Sequence, residues 1–355
     1  MGVRCEVCGN AIRGAARGDG GARERDGEAE QRGDAPNGRI FAHMAGLTSV
    51  QPLVVASKAL KAARFFPVPH KFTLGLQPIK PSEWLHVPTA AEMRRKRELL
   101  DGADTRNEVL DALPGSEFAQ RELADAVEAH CREHAAGAPS AGAPLGDDDI
   151  ELAGRLVAED LMLMERRPEG WVLPAACLCF PSRWALADKL GRRMEEIHSP
   201  VPGLNDRLAP KISQFFDKLA PGKLVARMNS AIMDDPELHQ PPSFATLREL
   251  APPPPVDAAS AGERLLLRME RQTLRRLPET GAVVFTIKTH QMRLPDVAAD
   301  AEFAAAVREH YRSLLGTPMA DGSDPYKTDV AAFVDWLDAA ARLPPPTRYD
   351  CSLDS

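Results

Sequence analysis

The sequence predicts an α+β fold, an antiparallel sheet with helices packed over one face and helical extensions at both ends. Two observations predict it. Apolar residues recur at helical spacing through most of the stretch from 91 to 219, whereas 223–233, 264–274 and 282–290 carry strand patterning. The last two of these runs flank Pro278-Glu279-Thr280-Gly281, a hairpin turn, so they should pair antiparallel.

Composition narrows the function. The 355 residues carry 44 Lys and Arg against 51 Asp and Glu, a net charge of −7, so a nucleic-acid partner or an anionic membrane is not expected. No run approaches the ~18 uninterrupted apolar residues of a membrane span. Only six cysteines occur, too few for a disulfide scaffold, and a reducing, cytoplasmic setting is expected. Residues 1–46 are Gly-, Arg- and acid-rich and should be a disordered extension. Their Arg content resembles an organelle transit peptide and their acidity does not, so targeting stays open. An ordered domain is placed at 47–343 and a short tail at 344–355.

In chain order, aromatic and turn residues from Arg64 to Leu76 read as extended chain ending near Trp84. Two helices are expected at 91–112 and 115–134, then a flexible Ala/Gly/Pro loop at 136–144. Asp147, Asp148 and Asp149 should cap a helix with an apolar stripe of Ile150, Ala153, Val157, Leu161 and Met164, with Asp160 at its edge. Residues 171–180 read as a buried strand interrupted by Pro174. Ser182 should cap a helix carrying Leu186, Leu190, Met194 and Ile197, stopped at His198 by Pro200 and Pro202. Asn205 opens another, with Leu208, Ile212, Phe215 and Leu219 in register, and 299–343 is helical with a break near 316–325.

His198 has two readings. It can satisfy the last carbonyls of its helix, or, stiffened by the prolines beyond it, it can hold a metal or haem iron. Alternation puts Arg227 and Asn229 on one side of their strand and Arg268, Glu270 and Gln272 on one side of the next. Those residues either face solvent or line a pocket where Arg and Glu must pair. Cys5-x-x-Cys8 lacks a second pair for zinc, His130 and His134 suggest a solvated helix face, and Cys177 and Cys179 suit a core.

An ordered set of motifs goes further: Cys179-Phe180-Pro181-Ser182-x-Trp184, Lys189-x-Gly191-Arg192, Ile197-His198-x-Pro200-Val201-Pro202-Gly203, Arg227-x-Asn229 and Arg268-x-Glu270-Arg271-Gln272-Thr273-Leu274. Together with Trp84, Glu159-Asp160-Leu161, Phe285-Thr286-Ile287 and Tyr326-Lys327, it resembles the haem-dependent oxidative N-demethylase alpha-subunit-like family over roughly residues 64–335. The resemblance implies a PAS-like fold holding haem b between helices and sheet. It also implies oxidative removal of a methyl group from a small secondary amine such as dimethylamine, consuming O2 and releasing formaldehyde. Electrons would come from NADPH through a separate reductase carrying FMN and a 2Fe-2S cluster, since no motif for either lies in this chain. On this resemblance His198 is assigned as the iron ligand, with Pro200, Arg227 and Arg268 at the cofactor. Arg227, Asn229, Arg268, Glu270 and Gln272 are assigned to the catalytic pocket, and Glu270 is matched to an ammonium substrate. Ser230 and His290 depart from the family, which usually has aromatics there, so a pocket with a missing wall is expected. A non-catalytic PAS-like haem sensor is the alternative.

Overall fold

The computed structural model describes residues 66, 74–197, 209–243, 246, 250, 254–317 and 329–342. These lie within the compact unit Met44–Ser355. The extension at 1–46, with its Cys5-x-x-Cys8, lies outside the described residues, as do His198, Pro200, Asn205 and the tail at 344–355.

Seven strands form one sheet in the order β1-β5-β6-β7-β3-β4-β2, every neighbouring pair antiparallel. Its centre is the three strands the sequence predicted, two from alternation and the third from an apolar run: β5 (Leu224–Met233), β6 (Leu266–Arg276) and β7 (Val283–Arg293). The hairpin closes as expected, with Arg276 opposite Val283. The two-residue β1 (Gln77–Pro78) edges β5, and β2 (Leu110–Ala112) edges β4 (Gly170–Cys177).

Three local expectations are corrected. The helix expected from Asp149 through Met164 is α4 (Asp149–Leu156) followed by the strand β3 (Asp160–Arg167). β3 begins with five buried residues, so it shows no alternation and its apolar spacing mimics a helix. The helix expected over 91–112 is α1 (Ala90–Asp101), then the single turn α2 (Arg106–Val109), then β2. Gly102 leaves the helical region at φ −72 and ψ 125, and Thr105 Oγ1 donates to the Leu99 carbonyl at 2.7 Å, closing the helix end. The helix expected after Ser182 is confined to α5 (Met194–Ile197), because Arg183 sits at φ 62, where a right-handed helix cannot start.

Pro174 stays inside β4 because of a bulge. Leu163 pairs with Ala175 and Glu165 with Val172, so Leu173 and Pro174 together oppose Met164. Register explains the two sheet faces. One face presents Leu161, Leu163, Ala175 and Cys177 to α1, α3 (Glu117–His134) and α4. Gly154 lets α4 come this close, since a Cβ there would meet Cys177 Sγ at 2.5 Å. Further along the same face Ile232, Leu267, Met269 and Met292 pack on α8 (Leu294–Ala298), α9 (Ala301–Arg312) and α10 (Val330–Ala340). Between the two apolar clusters runs a buried polar seam. There Glu92, which also caps α1 with Thr89, pairs with Lys288, and Lys96 Nζ donates to the Val157 and Glu159 carbonyls at 2.9 and 2.6 Å. The opposite face is covered by the irregular chain 178–193, by α5 and by α6 (Ala209–Lys218). A one-turn helix, α7 (Ala261–Arg264), precedes β6. No described helix is long and apolar enough to cross a membrane.

Candidate active site

The face covered by irregular chain carries the predicted residues. Arg227 lies opposite Gln272, Asn229 opposite Glu270 and Ala231 opposite Arg268, so all five share one face of β5 and β6. β7 adds Ile287, Thr289 and Gln291, opposite Gln272, Glu270 and Arg268. Thr289 and Gln291 were not anticipated, because 282–290 reads as a plain apolar strand and Gln291 lies past its expected end. Thr289 Oγ1 and Gln291 Nε2 are buried and make no hydrogen bond among the described residues.

The five differ in what they do. Arg268 is 1 % exposed, and its guanidinium donates to the Phe180 carbonyl at 2.8 Å and twice to the Leu238 carbonyl at 3.2 Å. It therefore pins two loops to the sheet, and burial, against the pull of Glu270 and Asp160, lowers its pKa. Arg227 has no hydrogen bond among the described residues, and its Nε is buried without a partner. Burial lowers its pKa too, and the charge of Glu270 opposes that. Glu270 accepts a 2.5 Å hydrogen bond from Ser182 Oγ and a 3.3 Å one from Gln272 Nε2. Asn229 is exposed.

Apolar rings and branched chains border this polar strip. Trp184, Ile197, Ile212, Phe215 and Phe285 are partly buried against the core formed by Met162, Leu274 and Ile287. Ile197 is the last described residue before the segment that carries His198. The metal assignment to His198 and the cofactor assignment to Pro200 thus fall outside the described residues.

Ser230 and His290 do not belong to this wall. Both pair with Met269, which places them on the opposite sheet face. Ser230 Oγ accepts from Tyr311 OH at 2.8 Å, and the His290 ring lies 5.5 Å from that of His86. Both residues therefore bear on the packing under the helices and leave the polar strip intact. His130, read as part of a solvated helix face, is instead 7 % exposed, with its ring 5.5 Å from Trp84 and its Nε2 3.2 Å from the Leu85 carbonyl. Cys177 and Cys179 are fully buried, as expected, in the core beneath α1, α3 and α4. Among the described residues no cluster of three or more His, Cys, Asp or Glu is placed to hold a metal ion.

Asp160 was expected on a helix. It instead begins β3 opposite Ile287, fully buried, and accepts from the Cys179 amide at 2.7 Å and the Phe180 amide at 3.1 Å. Burial pushes its pKa up to about 6, against Lys96, the two amides and Arg268. A carboxyl whose pKa rises on folding adds stability that is complete below its ordinary value of 3.8 and lost as pH climbs through about 6. This group should therefore cost about 2 kcal/mol of unfolding free energy between pH 4 and pH 7, at ~1.4 kcal/mol per unit. Denaturant titrations at a series of pH values read that loss, and Asp160→Asn should flatten it. An unchanged slope in the variant would contradict the assignment.

The ordered motifs, the buried arginines around one carboxylate and the apolar wall next to them agree with the comparison with known families. Residues 75–327 match the family described as haem-dependent oxidative N-demethylase, alpha subunit-like. The match spans every strand and most of the helices above, so the chain belongs to the haem-dependent oxidative N-demethylase alpha-subunit-like family.

Proposed function

We propose that this chain is the haem-binding subunit of a monooxygenase that demethylates a small secondary amine of the dimethylamine class. The observation that carries the reading is Glu270, a carboxylate on a sheltered sheet face one paired row from Arg227, whose Nε is buried without a partner, with the apolar residues Leu274 and Phe285 in the row beyond. The residues present fit a haem. Trp184, Ile197, Ile212, Phe215 and Phe285 suit a flat apolar macrocycle, and the unpartnered guanidinium of Arg227 suits a propionate. His198, next in the chain after Ile197, would supply an imidazole to hold the iron.

When bound, the haem supplies the iron at which oxygen is reduced. The chain's own residues do the rest. Glu270 holds the substrate ammonium by charge, and Gln272 and Asn229 flank it. Arg227 neutralises negative charge beside the carboxylate, and Arg268 keeps the covering loops shut against water. The reaction balances as dimethylamine, O2, two electrons and two protons giving methylamine, formaldehyde and water. The electrons require a partner, for which a reductase carrying FMN and a 2Fe-2S cluster and fed by NADPH is the class proposed.

Purified protein reconstituted with haem should show a Soret band that His198→Ala abolishes or shifts. It should release formaldehyde from dimethylamine when given electrons. A protein that stays colourless with haem overturns the reading. Tight haem binding with no product from any small methylamine favours the non-catalytic haem sensor.

A further inference from the structure

We propose that Ser182 is a positioning residue that sets the orientation of the Glu270 carboxylate for an ammonium ligand, an inference that rests on the amine reading above. Ser182 Oγ donates to Glu270 Oε1 at 2.5 Å across a separation of 88 residues, so the contact is made by the fold and not by chain proximity. It occupies one carboxylate oxygen. Among the described residues the other has only the 3.3 Å contact from Gln272, which leaves room for an incoming N–H donor.

The loop that carries Ser182 is built for fixed aim. At one end Asp160 accepts the amides of Cys179 and Phe180 at 2.7 and 3.1 Å. In the middle Arg268 takes the Phe180 carbonyl at 2.8 Å. At the far end Arg183 adopts a left-handed φ of 62, a conformation unfavourable for any residue with a Cβ. The Gln240 carbonyl accepts from the Arg183 amide at 2.6 Å, and the Gln240 amide donates to the Pro181 carbonyl at 3.2 Å, so the strained turn is held in place. A serine just before an apolar stripe of helical spacing is a helix-cap signal. Here the left-handed turn ends that option and swings the hydroxyl toward the sheet. Two buried ionic groups and one strained residue all serve to place a single hydroxyl against a single carboxylate.

The experiment is calorimetric titration of dimethylammonium chloride into haem-loaded protein, with no reductant present. The same preparations are assayed for thermal midpoint, haem content and, separately, KM and kcat. Ser182→Ala should raise Kd and KM about tenfold, with kcat, haem content and thermal midpoint nearly unchanged. Ser182→Thr, which keeps the hydroxyl, should restore most of the affinity. Glu270→Gln serves as the control. If Glu270→Gln loses amine binding while Ser182→Ala keeps the wild-type Kd, the positioning role is overturned and the amine reading stands. If Glu270→Gln also binds normally, the amine reading itself fails. If Ser182→Thr is as weak as Ser182→Ala, the hydroxyl is not what matters, and the proposal is overturned.

Discussion

Glu270→Gln is expected to lower kcat/KM for dimethylamine demethylation by roughly 10- to 100-fold, most of it through KM. A hydrogen bond to a charged partner contributes ~1.5–3 kcal/mol, and a neutral amide loses the charge on one side of that bond. The amide still accepts from Ser182 and keeps the side chain's shape, so folding and haem content should change little. The carboxylate also balances Arg227, which has no hydrogen bond among the described residues. Its loss leaves the half-buried Arg227 charge less balanced next to a cationic substrate, which adds repulsion to the missing attraction. Formaldehyde release measured across a range of amine concentrations separates KM from kcat. Wild-type KM in the variant would remove Glu270 from substrate binding.

Glu151→Ala is expected to cost about 3–5 kcal/mol of folding stability, the range found when one partner of a buried ion pair is removed. Glu151 accepts from Arg106 Nη1 and Nη2 at 2.7 and 2.6 Å, from Arg155 Nε at 2.8 Å, and from the Leu145 and Gly146 amides at 3.0 and 3.1 Å. Its side chain is fully buried, and Arg155 is only 1 % exposed. One carboxylate thus joins α2, α4 and the loop before α4. Burial opposes its ionisation, but Arg106, the Leu145 amide, Arg155 and the Gly146 amide outweigh that and push its pKa down to about 2. A pKa depressed by folding adds stability that is present above the ordinary value of 4.5 and lost as pH falls through about 2. Urea titration at pH 7 should show the full deficit of the variant, and the two proteins should converge in acid. A deficit under 1 kcal/mol at pH 7 would show that the surrounding donors find other acceptors.

The capping role expected for Asp147, Asp148 and Asp149 shows why such a residue escapes sequence reading. Asp148 stands at the cap position of α4 but makes no capping hydrogen bond, and Asp149 pairs with Arg121 at 2.8 Å. The negative charge that matters at this helix start comes from Glu151. Its importance depends on Arg106, 45 residues earlier, and no local pattern reports that.

What the sequence determined by itself was the part governed by short period. β5 and β6 alternate, so Arg227 with Asn229, and Arg268 with Glu270 and Gln272, could each be placed on one side of a strand from spacing two, and the pairing register puts the two sets on the same sheet face. α3, α9 and α10 show one apolar stripe each and were legible for the same reason. The tertiary structure decided the rest. β3 is buried on both faces, which erases alternation, and Ser182 leaves the helical path because Arg183 is held at positive φ by Gln240. Ser230 and His290 looked like missing pocket walls until pairing with Met269 put them on the other side of the sheet. Periodicity is a local property of the chain. Which buried polar groups meet across the fold is set by loop closure and register, and those are fixed only when the whole core packs.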